Sequence, residues 1–155
     1  MNTKILKTLS SFFLFIFLSN ELLADQGISS DQVLIGMHTD ISGPASMIGK
    51  QSVDGANMRF KEFNENGGAF GRTIKLIVED HQYTVPRAVQ AANKLLRKDK
   101  VAFMMGALGT PMNNAVMTDQ LAMNVPNLFP LTAARSMFDP FDRLKFTSGS
   151  TYYCL

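Results

Sequence analysis

Cysteine is all but missing from this chain of 155 residues, because Cys154 stands alone. No disulfide can close within it, and a single thiol without spaced partners reads as an ordinary residue, neither nucleophile nor metal ligand. Histidine is nearly as scarce. His38 and His81 are the only two, each placed after a predicted strand, and they read as satisfied loop residues because a metal site needs a larger spaced set. A surplus of charge is also lacking. The first 24 residues hold Lys4, Lys7 and Glu21, so 13 basic against 12 acidic residues remain from Asp25 onward, a balance of +1. That leaves no basic stripe for nucleic acid and no acidic tail for a cationic partner. Enzyme signatures are missing too. No G-x-G-x-x-G follows the first predicted strand, and neither G-x-x-x-x-G-K-[ST] nor G-x-S-x-G occurs. Dinucleotide, nucleoside triphosphate and serine-hydrolase chemistry lose their warrants, and we expect no enzyme activity and no cofactor.

What is present begins with a leader-like N-terminus. Two lysines precede the apolar run L-S-S-F-F-L-F-I-F-L (Leu9 to Leu18), and Leu22-Leu23-Ala24 closes on a small residue before Asp25. These three parts match a secretory signal peptide over residues 1–24, removed on export. The apolar run is short for a membrane span, and Glu21 follows it closely. With no cysteine where such a leader ends, lipid attachment there is excluded. The expected product is a soluble exported protein, periplasmic in location, with no membrane span after cleavage.

Beyond residue 30, short apolar runs alternate with longer amphipathic ones. Val33 to Met37 reads as a first strand, followed by the loop His38 to Gly49. Val53, Ala56, Phe60 and Phe63 then recur at helical spacing, and Asn66-Gly67-Gly68 stops that helix. Thr73 to Glu79 is a second strand. Thr84 is placed as an N-cap with Pro86 just inside, and Ala88, Val89, Ala92, Leu95 and Leu96 form the apolar face of a second helix. Arg97, Lys98 and Lys100 suit the negative end of its dipole. Val101 to Met105 is a third strand, Met112 to Met123 a third helix with Met112, Met117 and Met123 as filling, Val125 to Phe129 a fourth strand, and Leu144 to Thr147 a fifth. Strands separated by helices of this length must run parallel. The expected fold class is therefore α/β, an open doubly wound parallel sheet.

In such sheets ligands bind outside the carboxyl ends of the strands, where loops meet helix N-termini. Four loops reach that edge: His38 to Gly49, Asp80 to Thr84, Gly106 to Pro111 and Pro130 to Arg135. The stretch G-A-L-G-T-P (Gly106 to Pro111) has two readings. Its glycines let a ligand approach the main chain, and a helix N-terminus with the Thr110 hydroxyl suits a carboxylate. Equally, Thr110 is an ordinary N-cap with Pro111 at the first helical position.

The order and spacing of S-G-P-A-S-M-I-G (Ser42 to Gly49), D-G-A-N-M-R-F-K-E-F-N-E-N-G-G (Asp54 to Gly68), G-R-T-I-K-L-I-V-E-D (Gly71 to Asp80), A-V-Q-A-A-N-K-L-L (Ala88 to Leu96), M-G-A-L-G-T and V-P-N-L-F-P-L-T-A-A (Val125 to Ala134) carry a resemblance. Together they resemble the first lobe of type I periplasmic solute-binding proteins of the leucine/isoleucine/valine-binding class. The resemblance implies two doubly wound lobes closing on a small zwitterionic or amide ligand for an ABC permease. It implies that residues 25–155 form the N-terminal lobe, with the second lobe absent. It places the ligand's α-carboxylate at Leu108, Gly109 and Thr110, and further main-chain and hydroxyl contacts at Leu131, Thr132 and Ala133. Ala133 stands where leucine binders often carry a hydroxyl, and Ile48 where the first loop usually offers an aromatic. Amides, urea-like compounds and other carboxylates therefore stay open beside branched-chain amino acids, and a ligand sensor or amide-responsive regulator stays open beside transport.

Overall fold

The computed structural model describes residues 26–149, 151 and 152. The leader-like segment and Cys154 lie outside these. Five strands, all parallel, form one sheet in the order β2-β1-β3-β4-β5. They are β1 (Gln32–Thr39), β2 (Thr73–Asp80), β3 (Phe103–Met105), β4 (Asn127–Leu128) and β5 (Lys145–Phe146), and the long helices between them are α1 (Ser46–Glu65), α2 (Val85–Asn93) and α3 (Thr110–Ala122). The α/β doubly wound class is what the alternating runs demanded. Because β1 sits between β2 and β3, the chain leaves β1 in one direction and β3 in the other. Right-handed crossovers then put α1 on one face and α2 with α3 on the opposite face. The end of β1 beside the end of β3 is the topological switch point.

The two faces are packed unequally. On one, Ala88, Ala92, Leu95 and Leu96 meet Met112, Val116, Val125, Val101 and Met104 in a single buried cluster. On the other, Gly49 is the buried residue of α1, while Val53, Phe60 and Phe63 are only half-buried. Gly49 is buried because the helix crosses directly over the Asp40 carbonyl, where any Cβ would collide with that oxygen.

Three local expectations are corrected. The helix α1 begins at Ser46, inside the stretch read as loop, because the Asp40 carboxylate accepts the amides of Gly43 (2.5 Å) and Ala45 (2.7 Å) and turns the chain early. Thr84 does hold the N-cap position of α2 with Pro86 just inside, but it makes no side-chain cap bond, its hydroxyl donating to the His81 carbonyl (3.2 Å). His38 is a strand residue and not a loop residue, lying at the end of β1, fully buried. Beyond α2 the chain makes one wider π turn, Lys94–Lys98, in which Lys94 reaches both Glu79 (2.6 Å) and Asp99 (2.9 Å).

Candidate functional site

The carboxyl edge of the sheet is built by four loops that bond to one another. Asp80, at the end of β2, accepts Ile41 N–H (2.9 Å), Gln82 N–H (3.0 Å) and the Ser42 hydroxyl (2.6 Å), tying the first two loops together. Burial alone would raise the Asp80 pKa, but the Ser42 hydroxyl and the surrounding amides outweigh it and hold the acid down at about 2. Asp40 is spent in the same way on Gly43 and Ala45. Neither acid is left over for a ligand.

The loop after β3 is clamped from beneath. Asn113, buried in α3, donates from Nδ2 to the carbonyls of Ala107 and Gly109, each at 2.9 Å. His81 is the second clamp. Its Nδ1 accepts the Tyr83 N–H (3.0 Å), so the proton sits on Nε2, which donates to the Leu108 carbonyl (3.1 Å). Leu108 is thereby committed inward, because its N–H also donates to the His38 carbonyl (3.3 Å) and its side chain is buried. Burial lowers the His81 pKa, against the bond to Leu108 and the charges of Asp40 and Asp80. His38 lies 5.6 Å from His81 between ring centroids. Burial first, and then the neighbouring His81, push its pKa down to about 3. Neither His38 ring nitrogen has a hydrogen-bond partner among the described residues.

Of the residues singled out from sequence, six come together. Leu108 and Leu131 form a parallel bridge, with Leu131 N–H donating to Ala107 (2.9 Å) and Gly109 N–H to Leu131 (3.4 Å). Above that bridge the hydroxyls of Thr110 and Thr132 meet at 2.5 Å. Thr110 is the first residue of α3 and Gly109 is its N-cap, with no side-chain cap bond. The capping reading of Thr110 is thus overturned: its hydroxyl turns across to the neighbouring loop. Gly109 has φ +93°, a conformation that glycine adopts without strain. The amides of Thr110 and Met112 open the helix and have no partner within it. Ala133 follows Thr132, and its carbonyl accepts Tyr152 N–H (3.1 Å). Ile48 sits on the first turn of α1 at the same edge, half exposed, and the bonds that knit the other two loops do not include it.

Two aromatic residues at this edge were not foreseen. Tyr152 places its hydroxyl 3.2 Å from Thr132 Oγ1. The bonds to Thr132 and Thr110 lower its pKa. Tyr83, from the loop after β2, lies against Gly109. No sequence signal announces either one, since both are brought in by contacts between loops far apart in the chain. Among the described residues no group of three histidine, cysteine or carboxylate side chains is placed to hold a metal ion, and no helix is long and apolar enough to cross a membrane.

The sequence profile described as periplasmic binding protein matches residues 32–152, the whole of the sheet and its edge loops. The chain belongs to the periplasmic binding protein family. A Leu/Ile/Val-binding protein homolog of Brucella abortus is 31% identical over 85 residues, covering 55% of this chain and 23% of that protein. A Leu/Ile/Val-binding protein of Rhizobium johnstonii is 30% identical over 102 residues, 66% of this chain and 27% of the relative. Among solved structures, a substrate-binding periplasmic protein from Ralstonia solanacearum superposes with a TM-score of 0.73 at 26% identity, covering 78% of this chain and 34% of its own. The fatty acid ABC transporter substrate-binding protein of Thermomonospora curvata shares the fold, with a TM-score of 0.73 at 24% identity over 86% of this chain and 33% of its own. The chain thus spans about a quarter of the length of the curated relatives it matches. These relatives are binding proteins, not enzymes.

Proposed function

We propose that this chain is the first lobe of an exported solute-binding protein that hands a small amino acid, or a related carboxylate or amide, to an ABC permease. The observation that carries the reading is the meeting of Thr110 and Thr132 at the N-terminus of α3, on the switch-point edge of a parallel sheet. A carboxylate arriving there meets the unpaired first-turn amides of α3 and two hydroxyls that can turn toward it, in the positive half of the helix dipole. No lysine or arginine is required, and the acids nearby are already engaged with main chain. A solute-binding role fits this arrangement better than catalysis, because the edge offers donors to a ligand and no nucleophile–base pair.

The reading is tested by titrating the ¹⁵N-labelled chain with L-leucine and with sodium acetate while following its amide resonances. Both are expected to shift Gly109, Thr110 and Thr132. The variants Thr110→Ala and Thr132→Ala should each weaken binding about ten- to a hundredfold, the value of one hydrogen bond to a charged group. Unmoved resonances in these loops, or equal shifts in the double variant, would sink the assignment.

A further inference from the structure

We infer that the free edge of β2 is a self-association surface, on which a second copy of this chain pairs antiparallel to β2 about a two-fold axis at Ile77. Beside β1, β2 closes one side of the sheet with a strand of 8 residues, whereas β5 at the opposite side has 2. Thr73 N–H donates to the Asp31 carbonyl (2.8 Å) and His81 N–H to that of Thr39 (2.9 Å), both toward β1. By the alternation of a parallel ladder, Ile74, Leu76 and Val78 then turn their main-chain groups outward. At Ile74 the chain seals this edge itself. Asn64 accepts the Ile74 N–H (2.7 Å) and donates to its carbonyl (2.9 Å), as a neighbouring strand would. Among the described residues nothing does the same for Leu76 or Val78.

The charges beside these two residues select the partner. In an antiparallel pairing centred on Ile77, Leu76 of one copy faces Val78 of the other, and each such pair exchanges both of its main-chain bonds. The same register sets Lys75 of each copy directly opposite Glu79 of the other, at the non-hydrogen-bonded positions where side chains come closest. Centred one residue to either side, the pairing would set Lys75 against Ile77 or His81 and match no charges. Both groups have capacity to spare. Lys75 is exposed and has no ion pair among the described residues, while Lys94 holds Glu79 through Oε1 (2.6 Å) and leaves Oε2. A lone edge lysine discourages strand addition. Here the glutamate on the same face of the strand matches that lysine when the strand meets its own reversed copy. Ile77, half-buried against the core cluster, meets its counterpart on that face. On the other face a groove beside Leu76, lined by Asn57, Phe60 and Lys61 of α1, leaves room for Val78 of the second copy.

Sedimentation equilibrium should show a monomer–dimer equilibrium with a dissociation constant of about 10 to 100 μM, as suits a small interface. Amide hydrogen exchange at Leu76 and Val78 should slow as the concentration rises, while Ile74, already held by Asn64, keeps its rate. Lys75→Glu and Glu79→Lys each set like charges across both pairs and should weaken the dimer about tenfold or more. An equimolar mixture of the two variants makes every pair opposite again and should recover the parent's association as a heterodimer. Circular dichroism and urea unfolding of each variant separate lost association from lost structure. The exchange measurement uses the parent protein alone, so it decides the matter even if Glu79→Lys, deprived of its bond to Lys94, fails to fold. A protein that stays monomeric up to about 500 μM would overturn the inference. So would a dimer whose Leu76 and Val78 amides exchange no more slowly, or a mixture of folded variants that associates no better than either alone.

Discussion

At the scale of single residues, His38 stands out because its two ring nitrogens are buried without partners among the described residues. Holding it neutral costs nothing near neutral pH but becomes a liability as protons grow abundant. Its pKa is about 3 folded against 6.5 free, so below pH 6.5 the unfolded chain takes up the proton and the folded chain refuses it. Stability therefore falls as pH drops from 6.5 toward 3, by at most about 1.4 kcal/mol per pH unit from this group. His81, whose pKa is also lowered, adds a change of the same sign. Asp80 acts in a different window. With a pKa of about 2 against 3.8, its contribution is complete above pH 3.8 and lost only as the pH falls toward 2. The variant His38→Leu removes the His38 share of the upper window and leaves the lower one. Urea unfolding followed by circular dichroism should show it at least as stable as the parent at pH 7, since no hydrogen bond is broken, and about 1 kcal/mol or more ahead at pH 5. Parallel stability curves for the two proteins between pH 7 and 5 would contradict this account.

Among the elements, α1 shows how one residue sets a helix against a sheet. Gly49 and Gly55 lie on the same helix, six positions apart, yet a Cβ at Gly49 would strike the Asp40 carbonyl and one at Gly55 would meet nothing within 4 Å. Gly49→Ala should therefore push α1 off β1 and cost about 2 kcal/mol or more, in the range of core overpacking. Gly55→Ala should instead stabilise by about 0.5 to 1 kcal/mol, because alanine loses less backbone freedom on folding. Equal unfolding midpoints for the two variants would rule out the close-approach explanation. The same helix marks where sequence reading stopped. Its apolar spacing was plain from Val53 onward, but its true start at Ser46 depends on Asp40 capturing two amides ahead of it, a side-chain choice that periodicity cannot register. The strands behaved likewise: Phe103–Met105 is shorter than the apolar run around it, because Val101 is buried without being paired in the ladder. At the edge, the loops and their glycines were legible as candidates. The turn of Thr110 toward Thr132, the clamp of Asn113 and His81, and the arrival of Tyr83 on Gly109 were not, since each is a contact between loops that the chain order keeps apart.

On the scale of the whole molecule, affinity follows from how many walls a ligand touches. The described residues build one edge, with amides and hydroxyls on one side of an open crevice and Tyr83 exposed beside them. A binding protein that closes gains its free energy from contacts made only in the closed state, and a ligand shifts that equilibrium only by the difference between its contacts in the two states. On the proposed reading, one edge alone supplies a few hydrogen bonds to a carboxylate, against the loss of the ligand's translational freedom. The sum corresponds to a dissociation constant of about 1 mM, or roughly 4 kcal/mol. Calorimetric titration of this chain with L-leucine should accordingly give no saturable heat at micromolar ligand, while amide resonances at Gly109 and Thr110 move only in the millimolar range. Saturation at micromolar leucine would mean that this lobe encloses its ligand unaided, and the open-edge description would have to be abandoned.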